Sequence, residues 1–186
     1  MYLRIIGGRL KGKKLCSVPG DFTRPTASRV RESVFNILAF EVKGRRVLDL
    51  FAGTGVLGLE ALSRGAASAA FVDQYRRPLS VIQKNILSCG LDAATKVIQF
   101  DLRHDFKWGL RLGSGFQLVF MDPPYNKGFV NSTLSRLHNG SLLENDAIVT
   151  VEHSPSEPIV AGDAPFVLKD QRTYGKTLVS FLFYTI

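Results

Sequence analysis

Apolar positions along the chain change period in a regular way, and that change predicts most of its elements. Short, nearly continuous apolar runs of strand length recur at Val47 to Phe51, Ala69 to Asp73, Val97 to Asp101, Phe116 to Met121 and Ala147 to Glu152. Between them the spacing turns helical. Leu57, Leu59, Ala61 and Leu62 form one such stretch, and Val81, Ile82, Asn85, Ile86 and Leu87 a second that stops at Gly90. Residues 128–137 form a third. Upstream, Val30, Val34, Ile37 and Leu38 line one face of a helix with Phe35 beside them, and Arg29, Arg31 and Glu32 to its sides. Thr26 or Ser28 is placed to cap it, after an extended Thr23-Arg24-Pro25-Thr26. Strands that alternate with helices imply a parallel sheet. The chain ends differently, with two strands, Phe166 to Tyr174 and Thr177 to Thr185, joined around Gly175 as an antiparallel hairpin at the sheet edge. It also begins differently. Leu3 to Ile6 and Lys14 to Val18 flank Gly7, Gly8 and Gly12 and predict a small basic hairpin. The fold class expected is therefore α/β, Rossmann-like. The domains expected are a hairpin extension over residues 1–22 and a single domain over 23–186.

The first strand carries the most informative break. Asp49-Leu50-Phe51-Ala52-Gly53-Thr54-Gly55 runs from a strand through a glycine turn into a helix. Such a turn lies at the carboxyl end of a strand, against a helix N-terminus with free N–H groups and a positive dipole end. The glycines at 53, 55 and 58 match G-x-G-x-x-G, a pattern shared by several cofactor classes. Asp49 narrows the choice. A pyrophosphate would not welcome a carboxylate beside it, whereas a ligand with an ammonium or sulfonium group would, and a charge buried in an apolar strand needs such a partner. The pattern resembles the first motif of class I methyltransferases, which use S-adenosylmethionine.

Two further strand tips end in acids. Asp73 lies 24 positions after Asp49, at the next strand's end, where it can accept both ribose hydroxyls of an adenosine. Asp101 is placed to accept from an adenine amino group. The resemblance adds Phe51, Ala52, Gly53, Thr54, Gly55, Gln74 and Leu102 to the expected cofactor contacts.

Asp122-Pro123-Pro124-Tyr125 follows the fourth strand. Two prolines fix the backbone and remove two N–H donors, so that only acceptors remain, the Asp122 carboxylate and the Pro123 carbonyl. That set suits an exocyclic amine, which offers two N–H groups, and Tyr125 supplies a flat face for a base. The motif resembles that of amino-methylating enzymes acting on adenine N6 or guanine N2, so it identifies the atom type and not the base.

Net charge is +8. Residues 1–46 hold eleven Lys/Arg against three acids, and the remaining residues balance. Segregated positive charge points to a polyanion, most commonly nucleic acid. The string from Arg4-Ile5-Ile6-Gly7-Gly8, through Thr23-Arg24-Pro25-Thr26, to Arg29-Val30-Arg31-Glu32-Ser33-Val34-Phe35-Asn36-Ile37-Leu38 resembles the bacterial 16S ribosomal RNA guanine-N2 methyltransferases over essentially the full chain. The resemblance implies methyl transfer to a guanine N2 in an assembled or partly assembled small subunit, and the sparse cysteines fit a reducing cytoplasm, where a monomer is expected. Arg4, Arg9, Lys11, Lys13, Arg24, Arg29 and Arg31 are the expected RNA contacts.

Cys16 and Cys89 are the only cysteines and the three histidines are scattered, which argues against a disulfide framework or a metal site. No apolar run approaches the roughly 20 residues that span a bilayer. Three rivals remain: an adenine-N6 methyltransferase acting on DNA, a dinucleotide-dependent oxidoreductase, and a catalytically silent RNA-binding assembly factor. Little length is left for the first rival's target-recognition domain. Asp49 and the closing hairpin count against the second, and the full set of Asp49, Asp73, Asp101 and Asp122 to Tyr125 against the third.

Overall fold

A computed structural model describes residues 3–18, 25–106, 115–160 and 165–186. The chain divides into two compact units, Met1–Phe100 and Asp101–Ile186. Its seven strands belong to one mixed sheet, read as β3-β2-β1 in the first unit and β4-β5-β7-β6 in the second. The alternation of strand and helix foreseen from the sequence is present, and no helix among the described residues is long and apolar enough to cross a membrane.

In the first unit, helix α1 (Pro25–Ile37) precedes β1 (Arg46–Leu50), α2 (Val56–Ser63), β2 (Ser68–Asp73), α3 (Arg76–Cys89) and β3 (Thr95–Gln99). The strands pair in parallel, with Asp49 opposite Phe71 and Asp73 opposite Gln99. Four of the five β1 residues and five of the six β2 residues are buried. This is why their sequences read as continuous apolar runs rather than alternating ones.

Three details depart from expectation. Helix α1 begins at Pro25, which suits a first helical turn that has no partner for its N–H groups, so Thr26 and Ser28 lie inside the helix rather than before it. Its core face is Val30, Val34, Phe35 and Leu38, while Ile37 is partly exposed. Strand β3 stops at Gln99, two residues short of Asp101.

The basic hairpin is present as a loop closed by one antiparallel bridge, Arg4 to Lys14, around a 3-10 turn at Gly8–Leu10. Backbone bonds from Ile5 N to Lys13 O (3.0 Å) and Leu15 N to Leu3 O (2.9 Å) continue it. Leu3, Ile5 and Leu15 are buried, whereas Arg4, Arg9, Lys11, Lys13 and Lys14 are exposed. The loop packs on α2. Glu60 Oε2 accepts from Ile6 N (2.8 Å), and Ser63 Oγ accepts from Leu10 N (2.9 Å) and donates to Gly7 O (2.6 Å). Gly8 has φ +71°, and a Cβ there would come within 2.0 Å of Ser63 O, so no side chain fits at this contact.

In the second unit, β4 (Phe116–Met121) pairs in parallel with β5 (Leu143–His153), and α4 (Phe129–Asn139) lies between them in the chain. Strand β7 (Thr177–Tyr184) runs antiparallel between β5 and β6 (Phe166–Tyr174), as the closing hairpin predicted.

Candidate active site

The glycine turn leaves β1 with Phe51 in the left-handed region (φ 57°), followed by Gly53 (φ 55°) and Gly55 (φ 74°). A left-handed phenylalanine is a costly conformation that the surrounding structure must hold. Gly55 precedes α2 and gives it no side-chain cap, so the N–H groups ahead of Gly58, whose own N–H is taken by Asp49, face the turn where a ligand would lie.

Asp49 is 2% exposed, and its Oδ2 accepts a 2.9 Å bond from Gly58 N. Burial pushes its carboxyl up to about 8, against the pull of that N–H, with the nearby Asp73 charge adding to the rise. One N–H is thin solvation for a buried carboxylate, and a cation beside it would favour the ionised form. Gly58 is needed for this contact. A Cβ there would come within 2.4 Å of the Phe71 ring and 3.2 Å of Asp49 Oδ2. Asp73, buried at the tip of β2, brackets the turn. Its Oδ2 accepts from Gly53 N (3.0 Å) and its Oδ1 from Tyr75 N (2.9 Å). The uncapped helix, the buried acid with a raised pKa and the strand-tip acid fit a cationic adenosine derivative. Phe51, Gly53, Thr54 and Gln74 are part-exposed on the same unit, while Ala52 is buried.

Asp101 is placed differently from expectation. Arg103 takes both of its oxygens, with Nε at 3.0 Å from each and Nη2 at 2.6 Å from Oδ2, and its N–H adds a 3.0 Å bond to Oδ1. Those hydrogen bonds hold the carboxyl down to about 2. Leu102, next to it, is buried.

In the second unit, Asp122-Pro123-Pro124-Tyr125 leaves the end of β4 with Asp122 exposed and Pro123 buried. The Tyr125 hydroxyl donates to Glu152 Oε1 (2.7 Å) and lies 3.1 Å from Thr177 Oγ1. Desolvation raises the pKa of Tyr125, and burial likewise raises that of Glu152. Past the tyrosine, Glu157 accepts from Asn126 N (2.9 Å) and Gly128 N (2.8 Å), fixing the turn into α4. His153 is a structural residue. It bonds the carbonyls of Ser154 and Glu157 and the Ser180 hydroxyl.

The family model described as conserved hypothetical protein 95 matches residues 3–183. The putative ribosomal RNA methyltransferase YlbH of Bacillus subtilis is 34% identical over 96% of this chain and 97% of its own length. The ribosomal RNA small subunit methyltransferase D of Escherichia coli K12 is 33% identical over 94% of this chain and 86% of its own. The chain belongs to this methyltransferase family. The solved structure of the putative methyltransferase yhhF from Escherichia coli superposes with a TM-score of 0.85 at 34% identity, covering 100% of this chain and 99% of the other.

Among the positions the family resemblance marked for RNA, Arg4, Arg9, Lys11, Lys13 and Arg29 are exposed, and Arg24 lies outside the described residues. Arg31 is corrected from the side of α1 to the interior. It is 5% exposed, donates to Arg4 O (2.7 Å), and has its pKa lowered by burial against the opposing pull of Glu60. Sequence reasoning also passed over the buried polar residues Glu60, Ser63 and Asn85, and the Glu152, Thr177 and Glu157 partners of the Asp122 to Asn126 turn. Glu60, 0% exposed, is held by Arg64 Nε (2.8 Å) as well as by Ile6 N. A carboxylate in an apolar helix face is the signal that could have found it, since such a group is buried only with partners.

Proposed function

We propose that this methyltransferase moves a methyl from S-adenosylmethionine to the exocyclic N2 amine of a guanine in the 16S RNA of the small ribosomal subunit. The observation that carries this reading is the anchored turn Asp122 to Tyr125. Its exposed carboxylate is an acceptor for an amine N–H, and its aromatic ring is fixed through the hydroxyl by Glu152. The amine is a weak nucleophile because its lone pair is delocalised into the base. Acceptors at Asp122 and the Pro123 carbonyl would hold its hydrogens out of that plane, and Asp122 would take up the proton released. Tyr125 would hold the base by stacking, and the rest of the acceleration would come from positioning.

S-adenosylmethionine, when bound, supplies a methyl activated by a sulfonium. Asp49, Gly53, Thr54, Gly55 and Asp73 would hold it, with Phe51, Ala52, Gln74, Asp101 and Leu102 as further contacts. Residues 1–22 would serve as an RNA-binding extension of a methyltransferase domain over 23–186. The small-subunit ribosomal RNA named for the Escherichia coli relative supports the substrate, and the eleven basic residues among the first 46 support a polyanion.

The experiment is methyl transfer to naked 16S RNA and to small subunits from cells lacking the enzyme, with the modified base mapped. A new N2-methylguanine is expected, and Asp122→Ala should abolish it while cofactor binding stays intact. Modification at an adenine, or a loss on Asp122→Ala of less than about tenfold, roughly 1.4 kcal/mol of barrier, overturns the assignment.

A further inference from the structure

Asn85 sits on α3, 1% exposed, and every polar atom of its amide is spent on two other segments. Its Oδ1 accepts from Cys16 N at 2.7 Å. Its Nδ2 donates to Cys16 O at 3.1 Å and to Thr54 O at 3.0 Å. Burying an amide is costly unless its donors and acceptors are satisfied. Here the satisfaction comes from the last turn of the basic N-terminal loop and from the middle of the glycine turn, and not from α3 itself. Cys16 gives Asn85 both of its backbone groups, so the returning segment of the loop is held to the amide by a pair of bonds. The third bond reaches the carbonyl between Gly53, whose N–H is on Asp73, and Gly55, which precedes α2. One rigid side chain therefore sets the glycine turn against the segment that carries Arg9, Lys11 and Lys13.

We propose that Asn85 is a positioning residue that couples RNA binding on the N-terminal loop to cofactor binding at the glycine turn. The proposal rests on the reading of those two sites given above. RNA bound to the loop restrains Cys16, and through Asn85 restrains the Thr54 carbonyl, so the turn is held before the cofactor arrives. By thermodynamic reciprocity the cofactor tightens RNA binding by the same factor. The enzyme then favours holding both substrates together over holding either alone.

The test measures S-adenosylhomocysteine affinity by calorimetry, alone and with saturating small subunits from cells lacking the enzyme. The parent should bind at least about fivefold tighter with subunits present, the low end of coupling between linked sites. Asn85→Ala should bring that factor to one. So should Asn85→Asp, which keeps the acceptor for Cys16 N but has no N–H for Cys16 O or Thr54 O. A residue that only stabilises the fold would shift both affinities together and leave the factor unchanged. In the parent alone, hydrogen exchange at the Cys16 amide should slow when S-adenosylhomocysteine binds. A factor of one in the parent, a factor retained in both variants, or Cys16 exchange indifferent to the cofactor overturns the coupling. Two controls keep this separate from failure of the site readings. Asp73→Ala must weaken the cofactor, and Arg9, Lys11 and Lys13 changed together must weaken the subunits. Failure of either control removes that site and the coupling with it.

Discussion

The Tyr125 hydroxyl donates to Glu152 Oε1 at 2.7 Å, so the ring of the Asp-Pro-Pro-Tyr turn is anchored at its far end to β5. A phenol that served only as a stacking face would have no need of a half-buried carboxylate. Tyr125→Phe keeps the face and loses the anchor. Its single-turnover rate should fall by about 5- to 15-fold, the equivalent of one hydrogen bond of roughly 1–1.5 kcal/mol. Glu152→Gln, which can still accept from the hydroxyl, should lose less. Equal rates for parent and Tyr125→Phe would leave the anchor without a role in turnover.

Asp49 sets a pH dependence. Its carboxyl stands at about 8 in the folded chain, raised by burial from an ordinary value of 3.8. Between those two values the folded state holds a proton that the unfolded chain lacks. Its contribution to stability is therefore full below about pH 4 and is lost as pH rises through 8, at up to about 1.4 kcal/mol per unit. Asp49→Asn should flatten the fall in denaturation midpoint across that window. Binding of a cationic cofactor near pH 7 should release a proton from the parent and none from this variant. Calorimetry in buffers of different ionisation enthalpy reads that difference directly.

Asp73 brackets the glycine turn through Gly53 N and Tyr75 N, and each oxygen keeps a lone pair for a ribose hydroxyl. Asp73→Ala should weaken S-adenosylmethionine by on the order of 1–3 kcal/mol, with RNA affinity barely changed. Unaltered affinity in a calorimetric titration would reduce Asp73 to a backbone bracket.

Arg9, Lys11 and Lys13 are exposed on the N-terminal loop. Changing all three to alanine should weaken binding to small subunits. It should also lower the log–log slope against salt by about one unit for each phosphate that is no longer neutralised. The denaturation midpoint should stay close to the parent's, because exposed charges contribute little to folding. An unchanged slope across a salt series would place the RNA surface elsewhere.

Strands β1, β2 and β4 were legible because they are buried on both faces, which writes them as nearly continuous apolar runs such as Val47 to Leu50 and Ala69 to Val72. Asp49 was legible as an exception within such a run. The buried polar residues of the helices were not. Glu60, Ser63 and Asn85 bond backbone groups 54, 53 and 69 positions away, and nothing local to α2 or α3 announces a partner that distant. Arg31 was misplaced for a related reason. Helical spacing puts it one turn before Phe35, which is 0% exposed, yet a guanidinium reads as a surface group until a buried acceptor such as Arg4 O is known. Asp101 was read as a strand-tip acid, whereas β3 stops at Gln99 and Arg103, two residues on, bonds both of its oxygens.

The N-terminal loop has a consequence for how this enzyme can be taken apart. Its backbone satisfies Glu60, Ser63 and Asn85, all 3% exposed or less. A truncation that removes residues 3–18 would take hydrogen bonds from three interior polar groups and uncover the apolar surface that Leu3, Ile5 and Leu15 now cover. The basic segment is thus not a portable tag that could be cut off or grafted onto another methyltransferase. It is the outer layer of the same core that supports the glycine turn, and the two have to be inherited together.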